Sequence, residues 1–148
     1  MSIAIRSFAK INLGLKIGRL RADGFHELRT IYQTIALHDV VRVGATAGEG
    51  IEIRCSDPRV PCDATNTCYK VAERALNAAG RTAKVAITIE KHLPVQGGMG
   101  AASSNAVAAL LGLERALGVA ANASNDIGAK VDDLQFGVSD RRACRVRY

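Results

Sequence analysis

The sequence predicts an α+β domain: a mixed sheet that carries two helices on one face. Three observations point there. Apolar and polar residues alternate through several short runs in the first 90 residues, the period of half-buried strands. Two later runs, about 66–79 and 103–117, repeat small and apolar residues at helical spacing. A proline- and glycine-rich stretch, Pro94 to Asn105, separates the last strand from the last helix.

Taken in order, Ile3 to Ile5 reads as a short first strand. Ile11, Leu13, Leu15 and Ile17 then alternate with Asn12, Gly14 and Lys16, a half-buried strand that turns Lys10 and Asn12 away from the apolar set. On pattern alone those two are solvated polar positions. Arg19 to Phe25 is a loop marked by Asp23-Gly24. His26 to Leu37 is a second long strand, antiparallel to the first, with His26 at its entrance. A lone histidine there serves structure or simply meets solvent more often than it serves chemistry. His38-Asp39 opens a turn, Val40 to Val43 is a third strand, and Gly44 to Gly50 is a hairpin turn into Ile51–Cys55.

Ser56 to Asp63 holds two of the three prolines and reads as a surface loop. Thr65-Asn66 caps a helix whose Val71, Ala72, Ala75, Leu76 and Ala79 share a face and which ends at Gly80. Lys84 to Lys91 is the strand that feeds the glycine stretch. The helix beyond it buries Val107, Leu110, Leu111 and Leu117.

Strand, glycine loop, helix is an anion-binding order. Glycines let the backbone come close to a phosphate, and the free N–H groups and dipole of the first helical turn point at it. Ser103, Ser104 and Asn105 can cap that helix or bond phosphate oxygens. The loop lacks the Gly-Lys-Ser/Thr of a Walker sequence. Gly98-Met99-Gly100-Ala101-Ala102-Ser103 half matches a dinucleotide fingerprint, but Val119-Ala120-Ala121-Asn122 offers no acidic residue where the ribose would need one.

The 148 residues suffice for one domain with a core. No apolar run approaches the roughly 18 residues of a membrane span, and Met1 to Arg6 lacks a signal-peptide core, so the expectation is a cytoplasmic protein. Cys55, Cys62, Cys68 and Cys144 form no C-x-x-C pair and read as free thiols, with no metal site. The net charge of +6, fed by Arg141, Arg142, Arg145 and Arg147, suits an anionic ligand or nucleic acid. Aromatic content of only 4%, with no ladder among the basic residues, argues against single-strand binding.

Pro94-Val95-Gln96-Gly97-Gly98-Met99-Gly100-Ala101-Ala102-Ser103-Ser104-Asn105 resembles the ATP loop of the GHMP kinases. Ser7-Phe8-Ala9-Lys10-Ile11-Asn12-Leu13 resembles the opening motif of one branch, the 4-diphosphocytidyl-2-C-methyl-D-erythritol kinases. Arg21-Ala22-Asp23-Gly24-Phe25-His26-Glu27-Leu28 looks like that branch's Arg-x-Asp-Gly-Tyr-His motif, with Phe25 in place of Tyr, and Thr65-Asn66 resembles a nucleotide-contacting segment.

The resemblance implies the GHMP-kinase N-terminal fold, a ribosomal-protein-like α+β sandwich. It implies ATP-dependent phosphorylation of a hydroxyl on a cytidine-diphosphate-linked methylerythritol, in non-mevalonate isoprenoid synthesis. Lys10 would lie at the transfer site, and Asn12 would hold the acceptor. Phe25 and His26, with Tyr32 as a further candidate, would hold the substrate. Gly97 to Ser104 would cradle the ATP phosphates, bridged by Mg2+, and Asn66 would lie near the nucleotide.

The family's catalytic aspartate sits in a Gly-x-Asp-Val-Pro-Phe-like segment, whose nearest echo is Gly137-Val138-Ser139-Asp140, followed by Arg141-Arg142. The family's second domain, which completes the cleft, is expected to have no counterpart within these 148 residues. The expectation is residues 1–120 as the ATP-binding domain and 121–148 as an atypical tail, disordered or truncated by a shortened or frame-shifted gene. Such a chain would have low or no activity alone. A non-enzymatic nucleotide-binding fragment and a basic nucleic-acid-binding module are the other two function classes. The sequence fixes no oligomeric state.

Overall fold

The computed structural model describes residues 2–118 and 143–144. In chain order they form β1 (Ser2–Leu20), β2 (His26–Thr46), β3 (Gly50–Cys55), α1 (Thr67–Ala79), β4 (Lys84–Glu90), α2 (Ala101–Ala116) and β5 (Ala143–Cys144). The sheet runs β1-β2-β4-β3, with β5 joined to β2 beside His26 and Glu27. β1 with β2 and β2 with β4 are antiparallel, while β3 with β4 is parallel, so the sheet is mixed, as the sequence predicts.

Both helices cover one face. Val41, Val43, Ile53, Val85, Ile87 and Ile89 of the sheet pack against Val71, Ala72, Ala75 and Leu76 of α1 and Ala106, Ala109 and Leu113 of α2. Helix α1 is built as its sequence indicates. The Asn66 side chain accepts the Cys68 N–H at 2.8 Å, and Gly80 closes the other end in the left-handed region at φ 59°. No helix among the described residues is long and apolar enough to cross a membrane.

Three expectations change. The four short runs before residue 46 are two long strands, because interruptions in the alternation are register shifts, at Phe8/Lys10, Asn12/Gly14 and Ile17/Leu20, and not chain reversals. His38-Asp39 is therefore no turn: Asp39 lies within β2, fully buried. Gly44 to Gly50 is no hairpin, since β4 lies between β2 and β3, and β3-α1-β4 is a parallel crossover. Alternation does not tell which strand lies alongside, nor does it guarantee burial: Leu13, Leu15, Ile17 and Ile31 on the β1–β2 pair are exposed.

The third change concerns α2. Its buried face is Ala106, Ala108, Ala109, Gly112 and Leu113, while Val107 and Leu111 are exposed. Small residues let the helix lie close to the sheet: a Cβ on Gly112 would sit 2.7 Å from Val43 Cγ2. Gly112→Val is therefore expected to destabilise the domain by about 1–3 kcal/mol through overpacking, read as a lower midpoint in urea unfolding.

Candidate functional site

The loop between β4 and α2 has an unusual backbone. Gln96 at φ 62°, Gly98 at φ 68° and Gly100 at φ 71° are all left-handed. Alternating handedness of this kind curls a chain so that its N–H groups face a concavity suited to an anion. Gln96 is the only non-glycine with positive φ among the described residues, and such positions collect at functional sites.

Gly100 is the N-cap of α2 and has no side chain to take up the first-turn N–H groups. The first helical bond runs from the Ser104 N–H to the Gly100 carbonyl, 3.0 Å. Ser103 and Ser104 thus lie inside the first turn and do not cap it, because the helix begins at Ala101. The positive end of the helix dipole opens on the loop with no acidic residue in the first turn.

A pocket of about 450 Å³ lies over the loop, within the range of small-molecule sites. Residues 94 to 103 form one wall, and Arg59, Val60, Pro61, Asn66, Thr67 and Cys68 form the other. The Thr67 hydroxyl donates to the Ala102 carbonyl at 3.2 Å and ties the two walls together. Asn66 reaches this pocket, but its amide is already engaged: Oδ1 takes the Cys68 N–H and Nδ2 donates to the Pro61 carbonyl at 2.6 Å. Arg59 grips Asp57 through two hydrogen bonds of 3.0 and 2.7 Å, which bring that carboxyl down to about 2. Burial pushes the Cys68 thiol up to about 12, so it stays protonated.

Lys10 meets the loop at its Gly100 end. Its main-chain N–H donates to the Met99 carbonyl at 3.1 Å, and a Cβ on Gly100 would stand 3.2 Å from Lys10 Cε. Nζ donates to Asn12 Oδ1 at 3.3 Å and lies 4.5 Å from the Tyr32 ring centroid. Lys10, Asn12 and Tyr32 are thus gathered beside the glycine loop. The register shift between Phe8 and Lys10 lies directly ahead of them, a bulge of the kind that re-aims a side chain.

Phe25 and His26 stand apart. Lys10 pairs with Thr34 and Leu20 with His26, so eight residues of β2 separate the two places. That is about 26 Å along a straight strand. His26 does not converge on the loop, because the hairpin runs on as a two-stranded ribbon. Its tip is set by the Asp23 carboxylate, which accepts the Phe25 N–H at 3.1 Å and pairs with Arg21 at 2.7 Å. His26 Nδ1–H donates to the Gly18 carbonyl at 3.0 Å, which fixes the orientation of the ring. Asp140 lies outside the described residues.

One residue that the sequence suggests only as part of a turn holds the loop in place. Asp39 accepts the His92 and Leu93 N–H groups on Oδ1, both at 2.7 Å. Its Oδ2 takes Lys91 Nζ at 2.6 Å and Asn105 Nδ2 at 2.9 Å. Burial works to raise its pKa, but these four donors outweigh it and hold the carboxyl below its usual range. The available signal was an acidic residue between apolar runs, Leu37 and Val40-Val41. Asn105 Oδ1 and Ser7 Oγ are buried beside this group without hydrogen-bond partners among the described residues.

Comparison with known proteins bears on this arrangement. Residues 66–142 match the GHMP kinases N terminal domain. The chain is 40% identical over 112 residues to the 4-diphosphocytidyl-2-C-methyl-D-erythritol kinase of Rhodococcus jostii (strain RHA1), covering 75% of this chain and 36% of that one. It is 37% identical over 138 residues to the kinase of the same name from Acaryochloris marina (strain MBIC 11017), covering 91% and 44%. The chain therefore spans less than half the length of these relatives. A crystal structure of 4-(cytidine 5'-diphospho)-2C-methyl-D-erythritol kinase superimposes with a TM-score of 0.70 at 27% identity, over 97% of this chain and 55% of that one. A homoserine kinase from Cytophaga hutchinsonii ATCC 33406 shares the fold, with a TM-score of 0.64 at 21% identity over 91% of this chain and 41% of that one.

Proposed function

Because the chain belongs to the GHMP kinases, whose N-terminal domain it matches over residues 66–142, we propose that it carries the ATP-binding half of a small-molecule kinase. The observation that carries this reading is the uncapped start of α2 at the end of a left-handed glycine loop, with Lys10 packed against it. The pocket takes the nucleotide, with its triphosphate on residues 97–104 and Asn66 in the facing wall. Among the described residues no three carboxylate, histidine or cysteine side chains cluster to cage a cation. Mg2+ would therefore be held chiefly by the phosphate oxygens, with the Ser103 hydroxyl in the adjacent wall, and would offset their charge.

The acceptor is the hydroxyl of a cytidine-diphosphate-linked methylerythritol, the substrate that the relatives' names specify. Lys10 offsets the charge on the moving γ-phosphoryl group, and Asn12 holds the hydroxyl in line with it. The hydroxyl oxygen bonds to the γ-phosphorus as the bond to ADP breaks, and the hydroxyl's proton passes to solvent or to a base outside the described residues. Phe25 and His26, at the far end of the ribbon, stack on and hydrogen-bond the cytosine. Their separation from Lys10 suits a substrate elongated along β1 and β2, with Tyr32 at the Lys10 end.

The test is ATP-dependent phosphorylation of that substrate by the purified chain, and by the chain joined after Leu117 to the remaining half of the Acaryochloris relative. Product from the joined chain that forms about 10²–10³-fold more slowly with Lys10→Met is the expected result. A joined chain that binds ATP yet yields no product would leave a nucleotide-binding protein in place of a kinase.

A further inference from the structure

The loop proposed to hold phosphate has both its ends fastened to a single carboxylate. Residues 91, 92 and 93 lie immediately before Pro94, and Asn105 lies immediately after Ser104. All four donate to Asp39. Asp39 belongs to neither flank: it comes from the middle of β2, fully buried. The side chain of its partner Lys91 is also almost wholly buried, at 6% exposure. No other carboxylate among the described residues is shown with partners on both sides of the loop.

We propose that Asp39 is the positioning residue of the phosphate loop, the clamp that fixes the spacing between the end of β4 and the start of α2. A carboxylate with all its acceptor sites used is a rigid anchor. It fixes both ends of the segment that runs from Pro94 through Gly100 into the first turn of α2. Because Asp39 shares β2 with Val41 and Val43, the loop is referred directly to the core of the sheet. Ser7, its cross-strand partner on β1, lies three residues before Lys10, so the loop and the lysine are aligned on the same strand pair. The consequence for ATP rests on the kinase reading, whereas the clamp itself does not.

The experiment is amide hydrogen exchange on the full chain, with and without ATP, for wild type, Asp39→Asn, Asp39→Glu and Asn105→Ala. Asp39→Asn is expected to speed exchange across 92–104 by about tenfold or more, the loss of hydrogen bonds to a charged group, while residues 67–79 and 84–89 keep wild-type rates. ATP affinity should fall by a similar factor, and Asp39→Glu, whose longer arm displaces the anchor, should not restore it. Wild-type exchange in a folded Asp39→Asn chain, or acceleration spread evenly over the whole domain, overturns the proposal. Should Asp39→Asn fail to fold, Asn105→Ala removes one arm alone. It should free residues 100–104 ahead of 91–93, and unchanged rates there overturn the clamp. If wild type binds no ATP the kinase reading fails, while the exchange rates still decide the role of Asp39.

Discussion

Valine at position 100 is expected to raise the dissociation constant for ATP by about tenfold or more, in a chain that still folds. Gly100 sits at φ 71°, where a β-branched residue is strained. Holding such a residue there costs about 1–3 kcal/mol, so the loop would move instead. Its Cβ would also meet Lys10 Cε at 3.2 Å and Cγ at 3.4 Å, so the added methyls displace the lysine. The strain falls on the anion site and leaves the core between sheet and helices intact. Titration calorimetry gives the affinity, and circular dichroism checks the fold. Wild-type affinity in a well-folded variant would mean that phosphate does not approach the backbone there.

Replacing Lys10 with methionine in the joined chain is expected to cut kcat by about 10²–10³-fold, the usual loss when one charge-stabilising donor is removed. The KM for ATP should move far less. The link between Lys10 and the loop is a main-chain hydrogen bond to Met99, which methionine retains, and the alkyl stem beside Gly100 is kept as well. Only the ammonium is lost, together with its contacts to Asn12 and Tyr32. Steady-state kinetics separate the two outcomes: a fall in kcat locates Lys10 at the transferred phosphate, whereas a rise in KM alone would make it a ground-state contact.

What could be read from the sequence was local. Asn66 as a cap, Gly80 as a stop, Lys84 to Ile89 as a strand and the glycine run before α2 each depend on residues close together in the chain. Mispairing arose wherever the decisive partner was distant. Gly44 to Gly50 looks like a hairpin turn until β4, more than 30 residues later, slots between β2 and β3. Val107 and Leu111 look like core residues until Gly112 is seen against Val43, which brings the alanine face inward. Asp39 looks like a turn residue because its four donors come from residues 91 to 105. Lys10 was legible through resemblance only, since alternation alone makes it an ordinary exposed position. The distance between Lys10 and His26 depends on the continuity of the ribbon, which bulges disguise in the pattern.

The central claim is that the start of α2 and the loop before it receive the phosphates of ATP. The most direct measurement is an ATP titration of the 15N-labelled chain followed by amide chemical shifts. The expected result is that the largest changes fall on residues 97–104, with a second group at Asn66 to Cys68 in the facing wall of the pocket, and that both are suppressed in Gly100→Val. Saturable shifts confined to the β1–β2 ribbon, or no shifts at millimolar ATP, would contradict it.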